Sequence, residues 1–395
     1  MSESANGISY EGRTKVKLGD IARNISENEY NPKAKGLNHC VGLEHLDPGS
    51  LKIRRWSPIT PGLSFTRKFS KGQILFGKRR AYQKKVALAD FNGICSSDIL
   101  VIEAIKENFV PELLPFIVQD DRFFEYAVGT SSGSLSPRTK WKFLAEYEIW
   151  LPSVDEQYRI ATTFCAAEDC IMKGERFLEV TERAKQVLMR ELFSKGIRHD
   201  PENWKTVKLG DMCKTCTGGT PSRNHREFFG GSVPWFKSGE LGDSIVTSSE
   251  EKITSKGLTN SNAKIFPKGT LLIALYGATT GKVGILGIDA STNQAICAIF
   301  PNEEIDSKFL FYLLIQHRPS ILLERCGAAQ PNISQDIIRK MEIPLPPLPE
   351  QRQIASILTR CDETIAAARA NVGAAKALKM KMINEMLSPE KLLEQ

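Results

Sequence analysis

The sequence predicts an α/β (α+β) protein: two globular domains joined by two long, antiparallel, coiled-coil-like helices, with internal pseudo-twofold symmetry. Two duplicated motifs carry this prediction. Val-Lys-Leu-Gly-Asp begins at Val16 and again at Val207, 191 residues later (207 − 16). Glu-Ile-x-Leu-Pro begins at Glu148 and again at Glu342, 194 residues later (342 − 148). Because solenoid units span only about 20–50 residues, this repeat indicates a duplicated domain followed by a duplicated helix.

The composition is that of an ordinary globular protein. A chain of 395 residues has room for two hydrophobic cores, and 41% of its residues are apolar. No apolar run is long enough to span a membrane, and the polar start, Met1 to Gly12, lacks a secretion signal. Nine scattered cysteines do not form a disulfide scaffold, so a reducing cytoplasm is expected. The net charge of +7 favours a polyanionic partner.

Both globular segments follow one plan of turn, strand and helix. Hydrophobic patterning predicts these elements in the first copy at Lys71–Gly77, Ile99–Ile102 and Glu112–Glu125. In the second copy it predicts them at Lys268–Ile273, Ala295–Phe300 and Ser307–Leu323.

The segment after each globular copy predicts a long helix with one apolar stripe. From Val154 to Lys195 there is no proline, and apolar or small residues alternate at spacings of four and three. Ser153 and Glu156 are placed as a capping box, and about forty residues give a length of roughly 60 Å at 1.5 Å per residue. The positions predicted to pair the helices, or to contact a partner protein, are Ile160, Phe164, Ile171, Leu178, Leu188, Ile354, Leu358, Ile365, Val372 and Met382.

This order of domain, helix, domain, helix resembles the specificity (S) subunit of type I restriction–modification enzymes. The segments that carry the resemblance are Leu151–Ala161, Gly218–Ser222, Val233–Leu241, Tyr276–Ile285, Ser291–Ala295 and Leu345–Ala355. On this resemblance the predicted parts are target-recognition domains at 1–152 and 197–346, spacer helices at 153–196 and 347–388, and a C-terminal tail at 389–395. The first domain departs most from the family pattern.

The resemblance implies a non-catalytic subunit that binds double-stranded DNA. Each recognition domain would read one half of a bipartite site, while the paired helices set the spacer and dock two modification (M) subunits. Those partners would bind S-adenosylmethionine and methylate adenine, and two restriction (R) subunits would join them in a complex that uses ATP and Mg. No cofactor, metal or membrane contact is expected of this chain itself.

Two groups of residues are candidates for DNA contact. The stretch from Lys71 to Lys85 is rich in cations, has no carboxylate and includes aromatic residues, which suits contacts to phosphates and bases. Its candidates are Lys78, Arg79, Arg80, Tyr82, Lys84 and Lys85. Candidates in the second domain are Arg223, Lys237, Ser238, Tyr276, Thr279, Thr280 and Lys282.

Other interpretations of these motifs are weaker. Gly277 to Lys282 resembles a phosphate-binding loop, but it has three residues between its glycines and Val283 after the lysine. A tight turn that presents side chains to DNA is the better prediction. Cys213 and Cys216 have zinc or redox spacing without a second pair. The alternatives to a DNA reader are a structural coiled-coil scaffold and a nucleotide-hydrolysing enzyme.

Overall fold

The computed structural model describes residues 9–10, 12–60, 62–105, 108–197, 203–323 and 332–387. The chain divides into two compact units, of which unit 1 comprises residues 1–177 and 368–395 and unit 2 comprises residues 178–367. Each unit therefore contains one globular domain and part of each long helix. The predicted C-terminal tail, residues 389–395, lies outside the described residues.

Unit 1 contains three small sheets and the first part of a long helix. Its strands are β1 (Ser9–Tyr10), β2 (Arg13–Lys17), β3 (Ala22–Ile25), β4 (His39–Val41), β5 (Ser57–Pro58), β6 (Arg67–Phe69), β7 (Ile74–Gly77), β8 (Val86–Leu88), β9 (Gly93–Cys95), β10 (Ile99–Ala104) and β11 (Glu148–Leu151). Its helices are α1 (Leu18–Ile21), α2 (Leu114–Ile117), α3 (Asp121–Gly129), α4 (Trp141–Leu144) and α5 (Val154–Lys195), the last continuing into unit 2. The sheet orders are β1-β2-β11, β3-β10-β7-β8 and β5-β4-β9-β6.

Unit 2 repeats this plan with a larger central sheet. Its strands are β12 (Lys205–Lys208), β13 (Cys213–Thr217), β14 (Phe229–Phe236), β15 (Ser244–Val246), β16 (Glu251–Ile253), β17 (Leu271–Ala274), β18 (Val283–Leu286), β19 (Ser291–Thr292), β20 (Ile296–Pro301) and β21 (Glu342–Leu345). Its helices are α6 (Leu209–Met212), α7 (Ser255–Thr259), α8 (Ser307–Leu323), α9 (Gln335–Lys340) and α10 (Leu348–Met386), which continues into unit 1. The sheet orders are β12-β21, β13-β20-β17-β18-β15 and β16-β14-β19.

The two duplicated motifs pair with each other inside each unit. β2 lies antiparallel to β11, with Val16 opposite Ile149. In the second copy β12 lies antiparallel to β21, with Val207 opposite Ile343. The motifs therefore close each domain at the point where its long helix begins.

The repeated glycine of the first motif is required by a close backbone approach. A Cβ at Gly19 would lie 3.2 Å from the carbonyl oxygen of Ala145, and one at Gly210 would lie 3.0 Å from that of Arg339. The Gly19 amide donates a hydrogen bond to the same Ala145 oxygen at 2.9 Å. A side chain at either position would push the two segments apart.

The central sheet of unit 1 is buried on both faces. Ile74 and Phe76 of β7 belong to the core that includes residues of α2, α3 and α5. Leu75, between them, belongs to a second core with residues of β4, β6 and β9. This alternation follows from the period of two in a strand. In unit 2, Leu271 and Leu272 of β17 divide between two cores in the same way.

One sequence prediction in unit 1 is wrong. The single helix expected at Glu112–Glu125 is a 3-10 turn followed by two short helices, α2 and α3. The break falls before Asp120, whose side chain accepts a hydrogen bond from the Arg122 amide at 2.8 Å and thereby caps α3. A strong N-cap residue starts a new helix, and the apolar periodicity did not reveal this.

A buried glutamine fixes the start of each long helix to its own domain. In Gln157 and Gln351 the side-chain amide donates to the carbonyl of the proline five residues earlier, at 3.0 and 2.9 Å. Their side-chain oxygens accept from the amides of Val110 and Asp306, at 3.0 and 2.9 Å. The glutamine found at the same place in both helices, 194 residues apart (351 − 157), is thus explained by anchoring.

The long helices α5 and α10 bury most of the predicted stripe. The buried positions are Ile160, Phe164, Ile171, Ile354, Leu358, Ile365 and Val372. Leu178, Leu188 and Met382 are only half-buried. Met189 and Ile383, each one residue further on, are buried instead. A straight helix drifts by about 20° per heptad against a strict seven-residue repeat, which accounts for a shift of one position.

Within unit 1, the two helices are joined by a buried ion pair. Lys379 is 1% exposed, and its ammonium donates to Glu168 at 2.6 Å and to the side-chain oxygen of Gln119 at 3.1 Å. Further along, a Cβ at Gly174 would lie 2.8 Å from Val372. From Glu168 to Gly174 along α5, the contacted residue on α10 changes from Lys379 to Val372. The two helices are therefore antiparallel here.

Unit 2 contains the counterpart of this ion pair. Lys185 of α5 pairs with Asp362 of α10, and the hydroxyl of Tyr312 donates to Asp362 at 2.7 Å. The Lys185 ammonium also lies 5.2 Å from the centre of the Tyr312 ring. Asp362 stands 194 residues beyond Glu168 (362 − 168), and Lys379 stands 194 beyond Lys185 (379 − 185). The lysine that interrupts each apolar stripe therefore has a carboxylate partner on the other helix.

The helices of unit 2 are also antiparallel. Beyond the Lys185–Asp362 pair, the carboxylate of Glu350 accepts from the Ile197 amide at 3.0 Å and from the Trp204 indole at 3.2 Å. Glu350 lies in the first turn of α10, and Ile197 stands two residues after the end of α5. The start of one helix thus stabilises the end of the other.

None of the helices in the described part of the chain is both long and apolar enough to cross a membrane.

We predict that Glu168→Ala lowers the free energy of unfolding by about 3 kcal/mol, because it leaves the Lys379 ammonium buried without a countercharge. Urea denaturation measures the change. The control is Asp169→Asn, which removes an exposed pair with Lys173 and should leave the free energy of unfolding nearly unchanged. The double variant Glu168→Leu with Lys379→Met should recover most of the loss. Equal effects of Glu168→Ala and Asp169→Asn would contradict the role given to this pair.

Candidate nucleic-acid interface

The basic stretch of unit 1 forms a tight projecting loop between β7 and β8. Residues 81–83 form a 3-10 turn, and it is flanked by Arg80 and Lys84, whose φ angles of 54° and 51° are left-handed. Arg80 is exposed, and Tyr82 is 56% exposed. Among the described residues, neither of these two side chains has a polar partner. They are therefore the members of the predicted group most available to a ligand.

Three other cations of this stretch are engaged within the protein. Lys85 donates to the carbonyl of Leu43 at 2.7 Å, and Lys84 pairs with Asp121. Arg79 donates to Asp98 at 3.2 Å. These contacts hold the loop in place, so the sequence run of positive charge is only partly a free surface.

Lys78 lies half-buried at the base of the loop. Burial lowers the pKa of its ammonium, and the nearby Arg67 and Arg138 lower it further, while Asp98 acts in the opposite direction. The lowered pKa therefore comes mainly from burial, and the two neighbouring arginines add to it.

A second loop of unit 1, residues 131–139, packs beside the basic loop and was missed by the sequence reasoning. The Arg80 amide donates to the carbonyl of Pro137 at 2.8 Å, and the Thr139 amide donates to that of Lys78 at 3.0 Å. Arg138 of this loop donates through Nε to Asp98 at 2.8 Å. No local motif marks Arg138, because its partners are distant in sequence.

The Asp98 carboxylate accepts hydrogen bonds from both Arg79 and Arg138. Burial alone would raise the pKa of its carboxyl, but hydrogen bonds from Arg138 and Arg79 outweigh burial, and the pKa is lowered. The carboxylate is 17% exposed, whereas the Arg79 and Arg138 side chains are 37% and 48% exposed. The site therefore combines one shielded anion with two accessible cations.

In unit 2, the loop from Tyr276 to Lys282 is the predicted tight turn between β17 and β18. Gly277 and Gly281 have φ angles of 98° and 79°, which only glycine adopts easily. The amides of Thr280, Gly281 and Lys282 donate to carbonyls of the protein, at 3.2, 2.8 and 2.8 Å. A phosphate-binding loop needs such amides for its ligand, so this turn is not built as one.

The side chains of Thr279 and Lys282 in this turn are hydrogen-bonded within the protein. Lys282 donates to Asp243 at 2.8 Å, and Arg318 pairs with the same carboxylate. The Thr279 hydroxyl donates to the carbonyl of Ser238 at 2.6 Å, which places these two predicted residues together. Burial raises the pKa of the half-buried Tyr276.

Arg223 and Lys237 meet at a carboxylate on β16. Arg223 donates to Glu251 at 2.7 Å, and Lys237 donates to it at 3.2 Å. The Arg223 guanidinium also lies 4.3 Å from the ring centre of Phe229 and 5.4 Å from that of Trp235. Lys237 directly precedes Ser238, so this cluster adjoins the turn described above.

The two cysteines with metal-like spacing have different surroundings. Cys213 is buried in the main core of unit 2, and burial raises the pKa of its thiol to about 12. Cys216 is half-buried, and Lys264 lies 3.1 Å from its sulfur. Cys213 is therefore a neutral core thiol.

Comparison with known proteins gives the family. The family model of the type I restriction modification DNA specificity domain matches residues 201–372. The specificity subunit of the type I restriction enzyme EcoR124I/EcoR124II from Escherichia coli is 32% identical over 367 residues, covering 88% of this chain and 86% of that protein. The MjaIX specificity subunit of Methanocaldococcus jannaschii is 31% identical over 170 residues, 42% of this chain and 39% of that protein.

Solved structures share the fold. A chain from a structure of a type I restriction–modification system, described in terms of complex assembly and conformational transition, matches with a TM-score of 0.61 and 22% identity, covering 96% of this chain and 98% of its own. The S subunit of a type I system from M. genitalium matches with a TM-score of 0.61 and 15% identity, covering 98% of each chain.

The extended match to the E. coli subunit decides the assignment, since it covers 88% of this chain and 86% of that protein. The duplicated fold agrees with it. This chain belongs to the specificity subunits of type I restriction enzymes, which are non-catalytic and serve in DNA recognition.

Proposed function

We propose that each unit reads one half of a bipartite DNA site and that the paired helices set the gap between the halves. The observation that carries the proposal is one duplicated frame with two different exposed surfaces. Unit 1 offers Arg80 and Tyr82 on a projecting loop. Unit 2 offers the turn around Thr279 beside Arg223. Two dissimilar surfaces on equivalent frames are suited to two different sequences.

The chemistry of these surfaces suits double-stranded DNA. Exposed cations neutralise phosphates and release counterions, while arginine and hydroxyl groups hydrogen-bond to base edges in the major groove. The recognition domains in this proposal are residues 1–152 and 197–346, and the spacer helices are residues 153–196 and 347–388.

The partners in this proposal are two modification subunits that dock on the long helices. They would bind S-adenosylmethionine and transfer its methyl group to adenine. Two restriction subunits, with ATP and Mg, would complete a cleaving complex in the cytoplasm. The exposed small residues of α10, such as Ala366, Ala370 and Gly373, would permit close approach of a partner.

The first experiment is to co-express this chain with its modification subunit and to map methylated adenines by single-molecule sequencing. The proposal expects a bipartite motif with a fixed gap of unspecified bases. Methylation without a bipartite motif would refute it. A stable complex that methylates nothing would instead support the structural-scaffold alternative.

We predict that Arg80→Ala with Tyr82→Ala weakens DNA binding through unit 1 only. Removing one phosphate contact should reduce the slope of log K against log salt by about 0.9. Titration of the complex with site-containing DNA at several salt concentrations measures the slope. Lys17→Ala is the charge-matched control. Lys17 belongs to β2 and not to this loop, and its ammonium pairs with Glu146 at 2.6 Å. An unchanged slope would show that this loop makes no phosphate contact with the DNA.

We predict that lengthening both helices by one heptad lengthens the gap and leaves both half-sites unchanged. The insertions follow Thr181 in α5 and Ile365 in α10, which keeps Lys185 opposite Asp362. Seven residues add roughly 10 Å at 1.5 Å per residue, which is about three base pairs at 3.4 Å per step. Methylome sequencing measures the gap. A gap that stays fixed while the complex still methylates would exclude the helices as the ruler.

A further inference from the structure

The loop at residues 131–139 of unit 1 is built to hold an arginine in a fixed place. Ser132 and Arg138 exchange two backbone hydrogen bonds, at 3.0 and 3.1 Å, which close the loop. Arg79 reaches across from the basic loop and donates to the hydroxyl of Ser136 at 3.0 Å. The tip, Leu135, is 89% exposed. A short closed loop fastened to its neighbour has little freedom to move.

Asp98 fixes the orientation of Arg138. One oxygen of its carboxylate accepts from Nε of Arg138 at 2.8 Å, and the other accepts from Arg79 at 3.2 Å. Bonding through Nε holds one edge of the guanidinium. Within the described part of the chain, the two terminal nitrogens of Arg138 have no hydrogen-bond partner. They form a pair of parallel N–H donors on a side chain that is 48% exposed.

A guanine edge fits such a donor pair better than a phosphate does. Guanine presents two acceptors side by side in the major groove, O6 and N7, and a guanidinium can meet both at once. The adjacent carboxylate offsets part of the positive charge, which weakens attraction to a phosphate but leaves the directional donors in place. Arg79, whose terminal nitrogens are occupied by Asp98 and Ser136, lacks this free pair.

We propose that Arg138 is the residue with which unit 1 reads a guanine of its DNA half-site, and that Asp98 is the residue that positions it. This proposal rests on the proposed function, because it names a base contact within the half-site assigned to unit 1. The half-site read by unit 1 then contains a guanine. The exposed Arg80 on the adjoining loop supplies charge towards the backbone of the same DNA.

The test compares methylomes of complexes that contain the full chain with its modification subunit. Arg138→Ala is expected to relax one guanine position in one half-site, with a loss of discrimination there of roughly 5- to 150-fold. The gap and the other half-site stay unchanged. Asp98→Asn is expected to relax the same position to a smaller extent, because the arginine remains but loses its charged support.

Arg138→Lys separates a base contact from a phosphate contact. Lysine keeps the positive charge but lacks the two parallel donors. If Arg138 reads a guanine, Arg138→Lys therefore also loses discrimination at that position. If Arg138 contacts only a phosphate, Arg138→Lys methylates as the wild type does. Wild-type methylation by Arg138→Lys, or a uniform loss in Arg138→Ala with no position relaxed, would overturn the proposal.

Arg23→Ala is the matched control. Arg23 also pairs with a carboxylate in unit 1, that of Glu103 at 2.6 Å, but on a strand outside both loops. Its methylome should equal that of the wild type. If the wild-type complex itself yields no bipartite motif, the proposed function fails first and this proposal fails with it. If a bipartite motif is present and unaltered in Arg138→Ala, only the guanine contact is refuted.

Discussion

The pairing of the long helices depends on a lysine placed where each apolar stripe should continue. An ammonium in that position is tolerated only because a carboxylate on the other helix meets it: Glu168 for Lys379 and Asp362 for Lys185. A buried ion pair adds little net stability, but an unpaired buried charge is costly. Any shift of one helix along the other would separate the partners. The pairs therefore specify the antiparallel register, which apolar contacts alone leave loosely defined.

Sequence reasoning predicted the regular parts of the fold well. The bounds of α5 were obtained from periodicity, because a long amphipathic helix carries a strong local signal, and those of α8 from its place in the duplicated plan. The helix expected at Glu112–Glu125 was wrong because the capping effect of Asp120 outweighed the apolar pattern. The stripe positions at Leu188 and Met382 were displaced by one residue, since helical drift accumulates over several turns.

The candidate interface was less accessible from sequence. A run of cations identifies a basic loop, but the carboxylates that engage it come from elsewhere in the chain. Asp98 holds Arg79, and Asp121 holds Lys84. Arg138 was missed because it stands in a serine-rich loop with no basic neighbour next to it in sequence. Which cation is available to a ligand is decided by tertiary contacts, and these cannot be read from spacing.

The two lysine pairs differ in their access to water. In unit 1 the side chains of Lys379 and Glu168 are 1% and 12% exposed, whereas in unit 2 those of Lys185 and Asp362 are 18% and 41% exposed. Mobile ions screen exposed charges far more than buried ones. Raising the ionic strength should therefore weaken the ion pair of unit 2 more than that of unit 1. A duplicated scaffold has in this way acquired two halves with unequal sensitivity to salt.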